Sequence, residues 1–404
     1  MSDVWTWPAR IGVLLGTGLF LTLLVPVLVI QVRRYGTTSP ARLLGAAALA
    51  VYGTALAAYT LLPLPSGDVA AWCADYGYST VQLRPGQTFV DIRERTAGLS
   101  LGAAVRDISV LQGVFNVVLF VPWGILVRRY LGWGLLASAA SALAASLLIE
   151  VTQGTGVFGL IPCSYRLADV DDLITNTAGG VLGAVIAPWV LRWMPRAKTL
   201  AATRGVPRPV TVWRRWLGMA VDAVAYTLLS GLLTMAWGLV SYLGTGQVPP
   251  DTVPLWLFAG VLPWLVVFVL PLATGAGESL GQRTVWLAVV PSGSRVAGGV
   301  GVGLSWAARV RRGLVGGALW GLLQVLSDAA TMFDVGALAS AAGLASALAA
   351  VLVVAAPFTA GKRGLSGKAA PYRLVDARAE AGAAGAAEPP AGSAPAGSPP
   401  AGRS

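Results

Sequence analysis

Arg166-Leu-Ala-Asp-Val-Asp-Asp-Leu-Ile-Thr-Asn-Thr-Ala-Gly-Gly180 carries three acids, an arginine and an asparagine straight into an apolar run, Val181-Leu-Gly-Ala-Val-Ile-Ala187 and beyond. About 20 apolar residues suffice to cross a hydrocarbon core of about 30 Å. The run over 172–191 meets that length, and so do or nearly do others at 11–31, 42–62, 111–127, 131–149, 217–243, 254–273, 313–327 and 335–358. The chain is therefore expected to be all-α, a polytopic helical membrane protein of about nine transmembrane helices. A membrane β-barrel would alternate apolar and polar residues, and these runs are continuous.

Composition agrees. Of 404 residues, 55% are hydrophobic and 12% are charged, where soluble domains carry about 25% charged residues. The net charge of +11 is a topology signal rather than a nucleic-acid signal. With the N-terminus outside, 23 of the 29 Lys and Arg fall on inner segments, and 13 of the 18 Asp and Glu fall on outer segments or their helix ends. Basic residues favour the cytoplasmic side, so the expected protein is a multi-pass plasma-membrane protein with its C-terminus in the cytoplasm. The first apolar run lacks a strong basic n-region and is followed by Arg33-Arg34, so it reads as a retained helix rather than a cleaved signal.

The organisation expected is a five-span unit over 1–195, a basic connector over 196–213, a four-span unit over 214–376, and a tail over 377–404. The tail is alanine, glycine, proline and serine with scattered acids. Such a composition cannot bury a core and reads as disordered. The loop 63–110 is the one long outer connection, with an extended piece at Thr80–Leu83. Loops of that length are often lids; a passive loop folded on the helix ends is the alternative. Glycines recur at four-residue spacing (Gly12/Gly16, Gly179/Gly183, Gly313/Gly317/Gly321), which permits close helix approach. Packing within the chain is expected there rather than a dimer seam. The run Gly298–Gly303 lacks a nucleotide-loop pattern and reads as a flexible inner connection.

Polar groups inside a membrane segment are costly unless paired or wet, so they mark candidate sites. Asp169, Asp172 and Asn176 share a helix face by spacing. Helix capping accounts for one or two of the acids. It does not account for Asn176, nor for Glu150 and Gln153 at the end of the preceding helix, nor for Asn116 opening the helix before that. Arg166 is placed to neutralise one carboxylate. These seven residues are the candidate ligand-binding set. Two carboxylates with diverging pKa values could divide acid and base roles, and oxygen ligands could hold Mg²⁺ or Ca²⁺. The chain has no histidine, however, and Ser164 and Tyr165 have no evident base. Binding is expected ahead of catalysis, with no cofactor and no metal. In the second unit, Arg215 and Asp222 lie seven apart on one helix face. The two cysteines, Cys73 and Cys163, both fall on the outer, oxidising side, so a disulfide is expected, two free thiols being the alternative.

Asn116-Val-Val-Leu-Phe-Val-Pro-Trp-Gly124, Glu150-Val-Thr-Gln153, and Arg166…Asp169-Val-Asp-Asp172…Asn176…Gly179-Gly180…Gly183 together resemble the VanZ-like family over roughly 40–195. The resemblance implies a cell-envelope membrane protein. The family is linked through its founding member to glycopeptide (teicoplanin-type) resistance and has no established biochemical activity. The family's polar positions carry over to the same seven residues, leaving open which of Asp169, Asp171 and Asp172 fills each acidic position. The second unit resembles the RDD family in Arg215 and Asp222, in Gly277…Leu280-Gly-Gln-Arg283 with Val289-Val290, and in Gly361-Lys-Arg-Gly-Leu-Ser-Gly-Lys368. In the last piece Ser366-Gly367 stands where the family has His-Asp, so an acid on which ion transport would draw is missing. The partners expected are membrane lipids and an envelope ligand of lipid-head-group or lipoglycopeptide type, bound at the outer face. A membrane enzyme acting on lipid-linked envelope precursors and an RDD-type transporter of ions or small solutes are the alternatives.

Overall fold

The computed structural model describes residues 2–78, 81–247, 253–292, 304–359 and 364–379. The Gly298–Gly303 run, Thr80, residues 361–363 of the closing RDD-like piece and the tail from 380 lie outside the described residues.

The chain is helical. Among the described residues, seven helices are long and apolar enough to cross a membrane, or up to nine if each of two bent pairs counts as one span. Two compact units divide it, Met1–Arg204 and Gly205–Ser404. In the first, α1 (Ser2–Thr22) and α2 (Leu24–Tyr35) form a pair bent by 57°. They are followed by α3 (Pro40–Leu61), two short connecting helices α4 (Val69–Tyr76) and α5 (Gln87–Thr96), then α6 (Ile108–Leu131), α7 (Leu135–Gly154) and α8 (Val170–Val190). The last turn of α6, Leu126–Leu131, widens to π-helical geometry.

Lipid tails are as apolar as leucine, so burial of apolar surface does not drive these helices together; close backbone packing does. Glycine supplies it. A Cβ on Gly179 or Gly183 of α8 would sit 2.1 and 2.0 Å from the carbonyl oxygens of Val117 and Val121 in α6. These two helices therefore run parallel with backbone against backbone. Gly180 meets the Ala142 Cβ of α7, and Gly12 and Gly16 bring α1 onto Ala55 and Val51 of α3. Large apolar side chains such as Leu14 and Leu136 remain exposed, as a lipid-facing surface requires.

Basic residues finish the helix ends. Arg42 donates to the carbonyls of Tyr130 and Pro195, and Arg129 to those of Leu191 and Met194. Cations at such carbonyls complement the negative end of the helix dipole.

In the second unit, α9 (Val212–Thr245), α10 (Val253–Ala273), α11 (Leu280–Thr284), the bent pair α12 (Trp306–Gly313) and α13 (Gly317–Met332), then α14 (Gly336–Ala355) and α15 (Gly364–Ala369) surround a small element absent from the sequence expectation. This is a two-stranded antiparallel ribbon, β1 (Leu287–Pro291) with β2 (Tyr372–Asp376), Val289 opposite Leu374. Gly313, Gly317 and Gly321 pack against Leu272, Phe268 and Trp264 of α10. The fold continues past Asp376. Arg378 is buried and grips Asp376 through Nε and Nη2 at 2.8 and 2.6 Å, although composition alone reads as unfolded from Ala377.

Candidate functional site

The antiparallel register of α7 and α8 builds a ladder. Ala142 meets Gly180, Asn176 Nδ2 donates to Ser146 Oγ at 2.9 Å, and Glu150 Oε2 accepts the Asp169 N–H at 3.0 Å. The residues on the α7 side are four apart, so they form one helical stripe. Ser138, Ala142 and Ser146 are fully buried along it. Small residues permit the approach, and Ser146 and Glu150 are each placed opposite a partner on α8, while the Ser138 hydroxyl donates to Gly134 O within its own helix. Ser146 was not singled out in the sequence; its four-residue spacing before Glu150 was the available signal.

The three acids of α8 take three different tasks. Asp169 is the N-cap, accepting the Asp171 N–H at 2.8 Å and the Gln82 side-chain amide at 3.2 Å. Burial pushes its carboxyl above the usual range, against the opposing hydrogen bond from the Asp171 backbone. Asp171, 2% exposed, accepts the backbone N–H groups of Gly86 and Thr88 at 2.6 and 2.7 Å. It therefore pins the α5 entry onto the start of α8. Asp172 turns to α6, where Asn116 Nδ2 donates to Oδ1 at 2.6 Å. This pair is only half-buried.

Two expectations are corrected. Asn116 does not open its helix: α6 starts at Ile108, capped by Asp107, and Asn116 lies two turns in. Its depth follows from the extra residues Ile108–Val110, which are apolar enough to be helical. Arg166 does not pair with a carboxylate: no ion pair of Arg166 occurs among the described residues. Its guanidinium instead donates to the Leu62 carbonyl at 2.7 Å and the Tyr59 carbonyl at 3.5 Å, finishing the C-terminal end of α3. Gln153 does the same on that helix, donating to Thr60 O at 2.6 Å. Four of the seven candidates, Glu150, Asp169, Asp172 and Asn176, thus face the α6–α7–α8 contact, directly or at its rim, with Asn116 opposite Asp172. Arg166 and Gln153 hold α3 to it.

The connection between α3 and α6 closes over this end. Cys73 and Cys163 form a disulfide. Tyr78 N–H donates to Ser164 O, and Gln82 exchanges backbone hydrogen bonds with Ala168 and Val170. Gln82, Gly86 and Thr88 were not foreseen, because their partners lie more than 80 residues away and nothing local marks them.

Chemically, the cluster offers carboxylate acceptors, one half-buried guanidinium, and the buried Asn176 Oδ1, which meets no hydrogen-bond donor among the described residues. Buried acceptors left without a donor are uncommon. No group of three or more His, Cys, Asp or Glu is arranged to hold a metal ion among the described residues.

The second unit has a separate feature. A cavity of about 340 Å³ is lined by Arg215, Asp222 and Arg312 together with apolar residues of α10, α13 and α14. Asp222 Oδ1 accepts the Gly281 N–H at 2.7 Å. Arg283 lies apart, 3.8 Å from Glu278 and bonded to Thr274. Arg214 reaches Asp376 at 3.0 Å. Burial pushes the Asp376 carboxyl up, but hydrogen bonds from Arg378 and the Arg208 N–H, with the Arg214 charge, hold it well below the usual range.

Residues 49–192 match the VanZ/LLP1 family model. Among curated proteins and solved structures, nothing matches the chain.

Proposed function

We propose that this multi-pass membrane protein, with its VanZ-like domain at residues 49–192, acts in the cell envelope by binding a polar ligand at the α6–α7–α8 cluster. The ligand is a lipid head group or a glycopeptide-like molecule, and the consequence is a contribution to glycopeptide (teicoplanin-type) resistance. The carrying observation is the half-buried Asn116–Asp172 pair, one turn from an Asn176 oxygen that meets no donor among the described residues. Hydroxyl- or amide-rich ligands supply donors of that kind. Asp172 and Glu150 serve as acceptors, and Arg166 stands at the rim as the anion contact.

The orientation we propose puts this end outside and both the basic connector and the C-terminus in the cytoplasm. The Lys and Arg asymmetry supports it. The Cys73–Cys163 disulfide supports it too, since such bonds persist on oxidising sides of membranes. The loop carrying Cys73 then lies over the cluster as a cover.

The second unit we read as an RDD-like accessory module. Arg215 and Asp222 lining one cavity support that reading. If it transports, Asp222→Asn abolishes flux in proteoliposomes; unchanged flux removes Asp222 from any such role.

The test is teicoplanin susceptibility in a strain lacking the protein, complemented at matched membrane levels. Wild type is expected to restore protection, and Glu150→Gln with Asp172→Asn to lose it. A truncation after residue 204 reports whether the second unit is needed. Undiminished protection by the double variant would refute the site.

A further inference from the structure

The cavity of the second unit holds an imbalance of charge. Three charged side chains line it among the described residues, Arg215, Arg312 and Asp222, two positive and one negative. Arg215 is 5% exposed and Arg312 8%. Arg312 is engaged: it donates to the Gly277 carbonyl and to Gln282 Oε1, and stacks over the Tyr372 ring at 5.1 Å. Asp222 is engaged through Gly281. Arg215 is not. Its Nε and Nη1 are buried without a hydrogen-bond partner among the described residues, and it has no ion pair with Asp222 within 4 Å. Guanidinium nitrogens buried without hydrogen-bond partners are costly, and the planar fork suits a phosphate or carboxylate.

The remaining wall is apolar. Met219, Phe268, Leu272 and Trp320 line it. Leu352 and Val354 line it as well while being 45% and 53% exposed on the outside of the bundle. The cavity therefore reaches the surface that acyl chains cover in a membrane. A soluble anion would need only the charged end; this cavity joins a charged end to an apolar mouth.

We propose that the second unit binds an anionic phospholipid, its phosphate on Arg215 with Arg312 behind it and its first acyl carbons between α10, α13 and α14. Asp222 offsets one of the two positive charges, so the site takes a single negative charge and discriminates against zwitterionic heads, whose ammonium group has no free carboxylate to meet. Arg215 lies on the basic side of α9, and anionic lipids are abundant in a cytoplasmic leaflet.

The full chain in detergent is titrated with dioleoyl phosphatidylglycerol, dioleoyl phosphatidylcholine or sodium phosphate, and binding is read by native mass spectrometry and by thermal shift. Phosphatidylglycerol should bind at least tenfold more tightly than phosphatidylcholine. Arg215→Gln should bring the two within about twofold. Leu352→Trp, which obstructs the mouth and leaves every charge in place, should weaken phosphatidylglycerol at least fivefold, so the test survives if Arg215→Gln fails to fold. Equal binding of the two lipids by wild type overturns the proposal. So does phosphatidylglycerol binding that neither substitution weakens. Saturable binding of sodium phosphate with no binding of phosphatidylglycerol would overturn the lipid assignment in favour of a soluble anion.

Discussion

The two units handle buried charge in different ways. In the first, Asp169, Asp171, Asp172 and Glu150 are answered by neutral donors: backbone N–H groups, Asn116 and Gln82. In the second, guanidinium groups answer Asp376 and Glu278, while the buried Asp222 is held by the Gly281 N–H as the acids of the first unit are. Neutral donors satisfy a carboxyl without adding a countercharge, so no ion pair neutralises the first cluster among the described residues. The second unit is over-supplied with arginine at its cavity. The difference teaches that a polar site in a membrane helix can be organised either by geometry or by neutralisation.

The comparison breaks most visibly at Asp171. Replacing it with alanine removes an acceptor for two backbone N–H groups, each in a charge-assisted bond worth about 1.5–3 kcal/mol. Asp171→Ala should lower stability by about 3 kcal/mol and expose the 81–107 connection to protease. Thermal unfolding in detergent with limited proteolysis reads both effects. An unaltered cleavage pattern would mean that the connection is held by the disulfide alone.

Next in size is packing. Gly183→Ala puts a Cβ about 2 Å from the Val121 carbonyl, and overpacking costs about 1–3 kcal/mol. The melting temperature should fall, and the Asn116–Asp172 contact should loosen with it. The same substitution at Gly231 in α9, where nothing lies within 4 Å, should have little effect.

The smallest effect concerns pH in the second unit. The Asp376 carboxyl is held below its ordinary range when folded. It therefore contributes stability above an unfolded pKa of about 3.9, and that contribution is lost as pH falls through the lower folded value. Acid unfolding of the wild type should steepen below about pH 4. Asp376→Asn should lose that steepening while starting less stable. Parallel acid profiles for the two proteins would show that the Arg214–Asp376–Arg378 group adds nothing net.

Much of this was legible in the sequence, for physical reasons. Membrane helices must be long and apolar, so every expected span has a helical counterpart. The capping role of the acids before α8 follows from local helix chemistry. Gly179 and Gly183 announce close approach by spacing alone. What stayed hidden depends on residues distant in the chain. Arg166 sits near acids in sequence, yet carbonyls at the end of α3 claim it. The β1–β2 ribbon joins strands some 80 residues apart, and Val289-Val290 gives no sign of its partner. Arg215 reads as a basic anchor before a span, whereas its burial arises only when α10, α13 and α14 close around it.

The Cys73–Cys163 bond has a consequence for how the protein is made. The two cysteines are 90 residues apart in sequence, and the closed ring contains both α6 and α7. Oxidation therefore has to wait until that helical hairpin has been threaded through the bilayer and Cys163 has emerged on the same side as Cys73. A chain whose hairpin stalls keeps two thiols. The oxidised bond is thus a record of completed insertion, and it forms only in chains whose hairpin has brought the two cysteines to one side.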